Sequence, residues 1–173
     1  MTNLGEKIQE FTADTYIAGK FKKISLSDFR GKWVVLFFYP LDFTFICPTE
    51  IRAFARKQKD FENLNAVVIG ASTDSLHSHK AWFERDLPEV NYPIIADTNH
   101  NVSKIFDVLK LDEGITYRGT FIIDPNGILR YKVVSDLSVG RSVEETIRVL
   151  NALQTGELCP IEWKPGTETL GKA

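Results

Sequence analysis

The run from Lys32 to Tyr39, Lys-Trp-Val-Val-Leu-Phe-Phe-Tyr, followed at once by Pro40, constrains the fold more than any other stretch of the chain. It is short, apolar after its first residue, and rich in β-branched and aromatic side chains. Such a run predicts a strand buried on both faces. Pro40 ends it, because proline brings no N–H to a ladder. Ala66-Val67-Val68-Ile69-Gly70-Ala71 repeats the pattern and predicts a second buried strand.

The other segments fall around these two. Phe11 to Ile24 reads as a hairpin, with Phe11, Tyr16, Phe21 and Ile24 as strand formers and Gly19 at the turn. After Pro40 a short loop leads into an amphipathic helix. Ile51, Phe54, Ala55 and Phe61 share one face, while Arg52, Arg56, Lys57 and Lys59 face water. A helix from Ser75 to Arg85 is capped by Asp74 or Ser75. Pro93 to Ala96 is a short strand and Asn101 to Val108 a helix. Gly119 to Val134 is a hairpin that turns on Pro125 and the Asn126-Gly127 pair. The last helix runs from about Ser142 to Gln154, with Val143, Ile147, Leu150 and Leu153 inward and Gly156 as its stop. An extended tail carries Cys159, Pro160 and Trp163. Strands alternating with helices, then a hairpin and a helix, predict an α/β fold with a central mixed sheet flanked by helices.

At 173 residues the chain is long enough for one domain with its own core. A net charge of −2 without a basic face argues against nucleic acid as the main partner. No stretch reaches the roughly 20 apolar residues that cross a bilayer, and the first residues lack the basic-then-apolar layout of a signal peptide. A cytoplasmic location is expected. In that reducing compartment a cysteine is more often free, catalytic or metal-bound than part of a structural disulfide. Cys47 and Cys159 are the two cysteines, too far apart for a C-x-x-C motif. His77 and His79 stand two apart on the predicted helix and so point to different faces, which argues against a metal pair. Trp82 and Trp163 read as packing residues. No metal or cofactor is called for.

Cys47 stands between the end of a buried strand and the body of an amphipathic helix, in Pro40-Leu-Asp-Phe-Thr44-Phe-Ile-Cys47-Pro48-Thr-Glu50. Whether the helix begins at Thr44 or nearer Pro48 stays open, and either start puts Cys47 in or beside its first turn. A helix N-terminus carries about half a positive charge and unpartnered N–H groups, which favour a thiolate. A thiolate can attack a peroxide oxygen if the O–O bond is aligned and charge on the leaving oxygen is stabilised. A helix-start N–H, a hydroxyl such as Thr44 and a fixed cation would meet those needs. A lone cysteine at a helix start is otherwise an inert small hydrophobe, and Thr44 alone a cap.

Pro40, Thr44 and Cys47 form the pattern Pro-x-x-x-Thr-x-x-Cys, and the chain in this respect resembles the peroxiredoxins. The flanking Phe38 to Glu50 string resembles the typical 2-Cys branch, which includes the peroxidase component of the bacterial alkyl hydroperoxide reductases. The likeness continues through Asp74-Ser75 with His79, Ala81 and Trp82, through Arg118 to Pro125 with Gly127, through Val139-Gly140-Arg141, and into Gly156-Glu157-Leu158-Cys159-Pro160. It implies a thioredoxin-like fold, with residues 1–155 as the peroxidase domain and 156–173 as a tail. It implies a thiol-dependent peroxidase acting on hydrogen peroxide and organic hydroperoxides. Cys47 matches the peroxidatic cysteine, which becomes a sulfenic acid. Thr44 matches the hydroxyl that contacts the peroxide, and Pro40 the residue that shields the sulfur. Arg118 matches the arginine that holds thiolate and peroxide, Glu50 the carboxylate that orients it, and Arg141 a second arginine near the site. Cys159 matches the resolving cysteine, which forms an intersubunit disulfide after local unfolding around residues 44 to 51.

The resemblance further implies a homodimer, of which five can close into a ring, and reduction by thioredoxin or a dedicated flavoprotein disulfide reductase. The chain departs from the family pattern in two places. Leu109 to Gly114 stands where overoxidation-sensitive members have Gly-Gly-Leu-Gly, and no helix with a Tyr-Phe ending follows Cys159. Both departures imply resistance to sulfinic acid formation. The alternatives are an oligomeric redox sensor or holdase chaperone, a thioredoxin-type disulfide oxidoreductase, which lacks its C-x-x-C here, and a cysteine hydrolase, for which no histidine is placed as base.

Overall fold

The structure is a computed structural model and describes residues 2–173. In chain order the strands are β1 (Thr12–Ile17), β2 (Lys20–Ser25), β3 (Trp33–Phe38), β4 (Ala66–Ser72), β5 (Ile94–Ala96), β6 (Leu109–Lys110), β7 (Ile115–Thr116), β8 (Arg118–Ile123) and β9 (Leu129–Ser135). The helices are α1 (Cys47–Arg56), α2 (Gln58–Asn63), α3 (Leu76–Asp86), α4 (Asn101–Ile105) and α5 (Val143–Thr155). Seven strands form one mixed sheet in the order β2-β1-β5-β4-β3-β8-β9, and β6 and β7 form a separate small ribbon. This is the thioredoxin-like α/β fold. No helix among the described residues is long and apolar enough to cross a membrane.

β3 lies inside the sheet, parallel to β4 and antiparallel to β8. Its side chains alternate between two cores. Val35, Phe37 and Tyr39 enter one with Cys47, Ile51, Phe54, Phe61, Trp82 and Leu150. Val34, Leu36 and Phe38 enter the other with Ile8, Phe11, Leu26, Val102 and Phe106. Both faces of the strand are therefore covered, which is what an uninterrupted apolar run requires. The rings of Phe37 and Phe54 stack at 4.2 Å and tie β3 to α1; such a pair contributes about 0.5–1.5 kcal/mol beyond its buried area.

Local chemistry sets several ends. Ser75 caps α3 by accepting the Ser78 N–H, and Ser142 caps α5 by accepting the Glu145 N–H. Gly156 closes α5 at φ +65°, a left-handed conformation that costs glycine little. In the β8–β9 turn the Asp124 carboxylate accepts the N–H groups of Asn126 and Ile128.

The structure corrects the sequence reading in three regions. The helix after Cys47 is broken: Lys57, at φ −100° and ψ 5°, separates α1 from α2. Arg52 on it is not simply solvated, since it donates to Glu89 and to the Asp86 carbonyl. The helix from Asn101 stops at Ile105 rather than Val108, with Asp107 at φ +55°. The tail is not extended. Leu158 donates to the Gly171 carbonyl and Leu170 to the Leu158 carbonyl, closing a loop in which Trp163 is buried.

Candidate active site

Cys47 is the first residue of α1 and is wholly buried. The helix therefore begins at Cys47, and Thr44 is not its cap. Ile46 holds the cap position with no side-chain bond, and its carbonyl accepts the N–H groups of Thr49 at 3.0 Å and Glu50 at 3.3 Å. Pro48 follows inside the first turn, where its missing N–H breaks no helical bond.

β8 brings the first cation. Thr120 pairs with Phe37 of β3, so Arg118, two residues earlier, starts β8 beyond the C-terminal end of β3. Arg118 is buried. Its Nη1 donates to Cys47 Sγ at 3.4 Å and to Glu50 Oε2 at 2.7 Å, and its Nε to the Leu137 carbonyl at 2.8 Å. Glu50 lies one turn along α1 from Cys47 and is buried too. Its Oε1 accepts the backbone N–H and the Nε of Arg141, each at 2.9 Å. Arg141 also donates to the carbonyls of Gly119 and Phe38 and stands over the Phe37 ring. Burial pushes the Arg141 guanidinium below its ordinary value while Glu50 pulls it back up. Two guanidiniums share one carboxylate, which leaves one positive charge in excess beside the sulfur.

Cys47, Glu50, Arg118 and Arg141 thus form one bonded cluster drawn from α1, β8 and the loop before α5. Pro40 is buried at the end of β3. Thr44 is partly exposed and donates from Oγ1 to the Leu41 carbonyl at 2.9 Å. It lines a cleft of ≈ 520 Å³ with Phe43, Pro48, Arg52, Trp82 and Arg85. Cys159 is elsewhere. Its sulfur contacts Thr155 Oγ1 at 3.6 Å and faces a second cleft along α5 lined by Arg148, Ala152, Leu153, Pro160 and Ile161. Both cysteines are free thiols.

Sequence reasoning missed a buried network behind the loop that leads to Cys47. The Asp42 carboxylate accepts from Tyr39 Oη, Ser78 Oγ and His79 Nδ1, each at 2.8 Å. The Asp42 N–H donates to Asp74 Oδ2 at 2.8 Å. Burial, reinforced by Asp42, raises Tyr39 well above an ordinary tyrosine, and burial also raises Asp74. His79 is fully buried while His77, on the outer face of α3, meets the Phe21 ring. Asp42 and His79 could have been flagged only as polar residues at apolar-face positions.

A cysteine sulfur buried at a helix start against a guanidinium, on this sheet, defines a protein built for thiol chemistry. Residues 4–132 match the model of the AhpC/TSA family. Peroxiredoxin prdx-2 of Caenorhabditis elegans is 50% identical over 96% of this chain and 88% of its own. The reduced 2-Cys peroxiredoxin of Plasmodium vivax superposes with a TM-score of 0.93 at 33% identity, over 97% of this chain and 92% of its own. AhpC of Enterococcus faecalis superposes with a TM-score of 0.89 at 35% identity, over 92% of this chain and 100% of its own. The chain belongs to the AhpC/TSA family, in its 2-Cys peroxiredoxin branch. It is an enzyme, a thiol peroxidase with Cys47 as the peroxidatic cysteine.

Proposed function

We propose that the protein reduces hydrogen peroxide and organic hydroperoxides, with the sulfenic acid on Cys47 resolved by Cys159 of a partner subunit. The Cys47 thiolate attacks one peroxide oxygen, the O–O bond breaks, and the other oxygen leaves as water or an alcohol after taking a proton. The Cys159 thiol then displaces water from the sulfenic acid and a disulfide forms. An external dithiol protein reduces it by exchange; thioredoxin or a flavoprotein disulfide reductase fits that need.

The observation that carries this reading is the Arg118 Nη1–Cys47 Sγ contact of 3.4 Å, on a guanidinium that Glu50 holds from the other side. A planar, permanently charged group so fixed can hold the sulfur and an incoming oxygen together. Glu50 and Arg141 act through Arg118 by fixing its plane. The Thr44 hydroxyl spends its proton on Leu41 and keeps lone pairs to accept a peroxide O–H. Pro40 excludes water from behind the sulfur. Phe43 and Phe45 are exposed and Ile46 partly so, an apolar rim suited to organic peroxides.

Cys47 is fully buried and Cys159 sits against α5, so resolution requires the segment around residues 44 to 51 to unwind. An intersubunit disulfide makes the dimer obligatory, and dimers of this kind can close into a ring of five. A cytoplasmic setting, where the reductants are dithiol proteins, completes the reading.

Two variants test it. Cys159→Ser is expected to keep the first reaction with hydrogen peroxide and to lose turnover with a dithiol reductant. On a non-reducing denaturing gel the peroxide-treated wild-type chain should run as a dimer and the variant as a monomer. A wild-type monomer carrying a disulfide would instead place resolution within one chain. Arg118→Lys keeps the charge but loses the fork; it should slow the first step by ~10- to 100-fold, the worth of one hydrogen bond to a charged group. An unchanged rate constant for peroxide consumption would remove Arg118 from the mechanism.

A further inference from the structure

Two buried hydroxyls from outside the active-site segment bond to backbone carbonyls at its two ends. Thr116, on β7, is fully buried and donates from Oγ1 to the Tyr39 carbonyl at 2.8 Å. Tyr92, in the loop before β5, is 3% exposed and donates from Oη to the Ile51 carbonyl at 2.7 Å. Pro40, Thr44, Cys47 and Glu50 all lie between residues 39 and 51. Neither hydroxyl touches the Cys47 cluster.

Neither bond is what secondary structure requires. The Ile51 carbonyl lies inside α1, where its helical partner is the N–H of Ala55; the phenol is an added donor. Tyr39 lies beyond the last β3–β8 pair, Phe37 with Thr120, and its own N–H is held by the Ala71 carbonyl at 3.0 Å. The Thr116 hydroxyl thus fixes the Tyr39–Pro40 peptide group, the next one after the peptide held by Ala71. Both donors sit on well-packed supports. The Tyr92 ring lies 5.9 Å from that of Phe37, and Thr116 belongs to the ribbon paired through Leu109.

We propose that Tyr92 and Thr116 are positioning residues that set the two limits of the segment released during turnover. The inference rests on the proposed movement of Cys47 out of its pocket. Unwinding that starts at the α1 N-terminus meets at Ile51 a carbonyl tied across to the β5 loop, and this second bond must break before the next turn follows. Unwinding toward β3 meets the same barrier at Tyr39. The released segment is thereby confined to residues 40–50, and the rest of α1 stays in place to receive Cys47 back.

Hydrogen–deuterium exchange on the full chain, reduced and after disulfide formation, tests this in wild type, Tyr92→Phe, Thr116→Val and Thr116→Ser. Phenylalanine and valine keep the shape of the side chain and drop the hydroxyl; serine keeps the hydroxyl. In the wild-type disulfide form, exchange is expected to rise at residues 41–54, because the amides of 51–54 bond to the carbonyls of 47–50, and to stop at Ala55. In Tyr92→Phe it should extend to the amides of Ala55 and Arg56, about five-fold faster than in wild type, as expected for one lost hydrogen bond. In Thr116→Val it should extend back to the Tyr39 amide by a similar factor, and Thr116→Ser should keep the wild-type limit. In the reduced form all four proteins should exchange alike at these amides. Wild-type limits retained in both hydroxyl-less variants would overturn the inference while leaving the movement intact. Equal loosening in the reduced form would mark a plain packing role and overturn it as well. No rise at 41–50 in the wild-type disulfide form would remove the movement itself.

Discussion

Cys47→Ser is expected to abolish peroxide reduction, with a loss on the order of 10⁶-fold, the low end of enzymatic accelerations. The reason is chemical rather than structural. The site brings a positive excess to one sulfur, and a thiol ionises near neutral pH where an alcohol does not. Serine in the same pocket meets the same Arg118 and the same helix start but stays protonated, so no nucleophile forms. Oxygen replaces sulfur at a fully buried position with little change of volume, so the fold should persist and the loss should fall on chemistry alone. Peroxide consumption by the pre-reduced protein, beside its thermal unfolding, separates the two. A folded Cys47→Ser protein that still consumed peroxide at the wild-type rate would take the reaction away from Cys47.

The second large effect concerns Glu50. Among the described residues it is the one carboxylate paired with either Arg118 or Arg141, and all three side chains are nearly inaccessible to water. In Glu50→Ala two guanidiniums would remain buried, close to each other and without a counter-charge. Breaking a buried pair by removing one partner costs about 3–5 kcal/mol, because the other charge stays desolvated. At roughly 2–4 °C per kcal/mol for a chain of this size, the unfolding midpoint should fall by roughly 6–20 °C. Glu50→Gln keeps an acceptor oxygen and should fall between wild type and Glu50→Ala. Peroxide reactivity should fall with both, since Arg118 loses the group that fixes its plane. A Glu50→Ala protein with an unchanged midpoint would mean that water or a rearranged carbonyl takes over the pairing.

Much of the fold was legible because local chemistry agreed with the tertiary outcome. The Lys32–Tyr39 run told of two covered faces, and the structure places alternate residues in two cores. Ser75, Ser142 and Gly156 marked helix ends by their own side chains or lack of one. The break at Lys57 was hidden, because Phe54 and Phe61 are seven apart and fit one continuous helix as well as two short ones. Val108 carried the apolar pattern of α4 past its end, while the left-handed turn at Asp107 came from no glycine or proline. Cys47 was readable in place, between a strand end and a helix. Arg118 was not readable from composition: its burial depends on the pairing of β8 with β3, which brings it against a cysteine 71 residues away. The Asp42–His79 bond spans 37 residues and left no trace in either local pattern.

The closed tail loop has a spectroscopic consequence. Trp163 is buried at its centre, with its indole N–H on the Thr167 carbonyl and its own carbonyl on Arg148. Trp82, equally buried, lies under Phe43 of the active-site loop at 5.7 Å. The active-site loop therefore rests on one indole, and the tail that carries Cys159 holds another. Opening the tail wets Trp163, whereas displacing the active-site loop uncovers Trp82. Fluorescence changes in Trp82→Phe and Trp163→Phe chains, each of which also keeps Trp33 of β3, would follow the two motions separately, with no dye attached, and show which of them comes first in a single turnover.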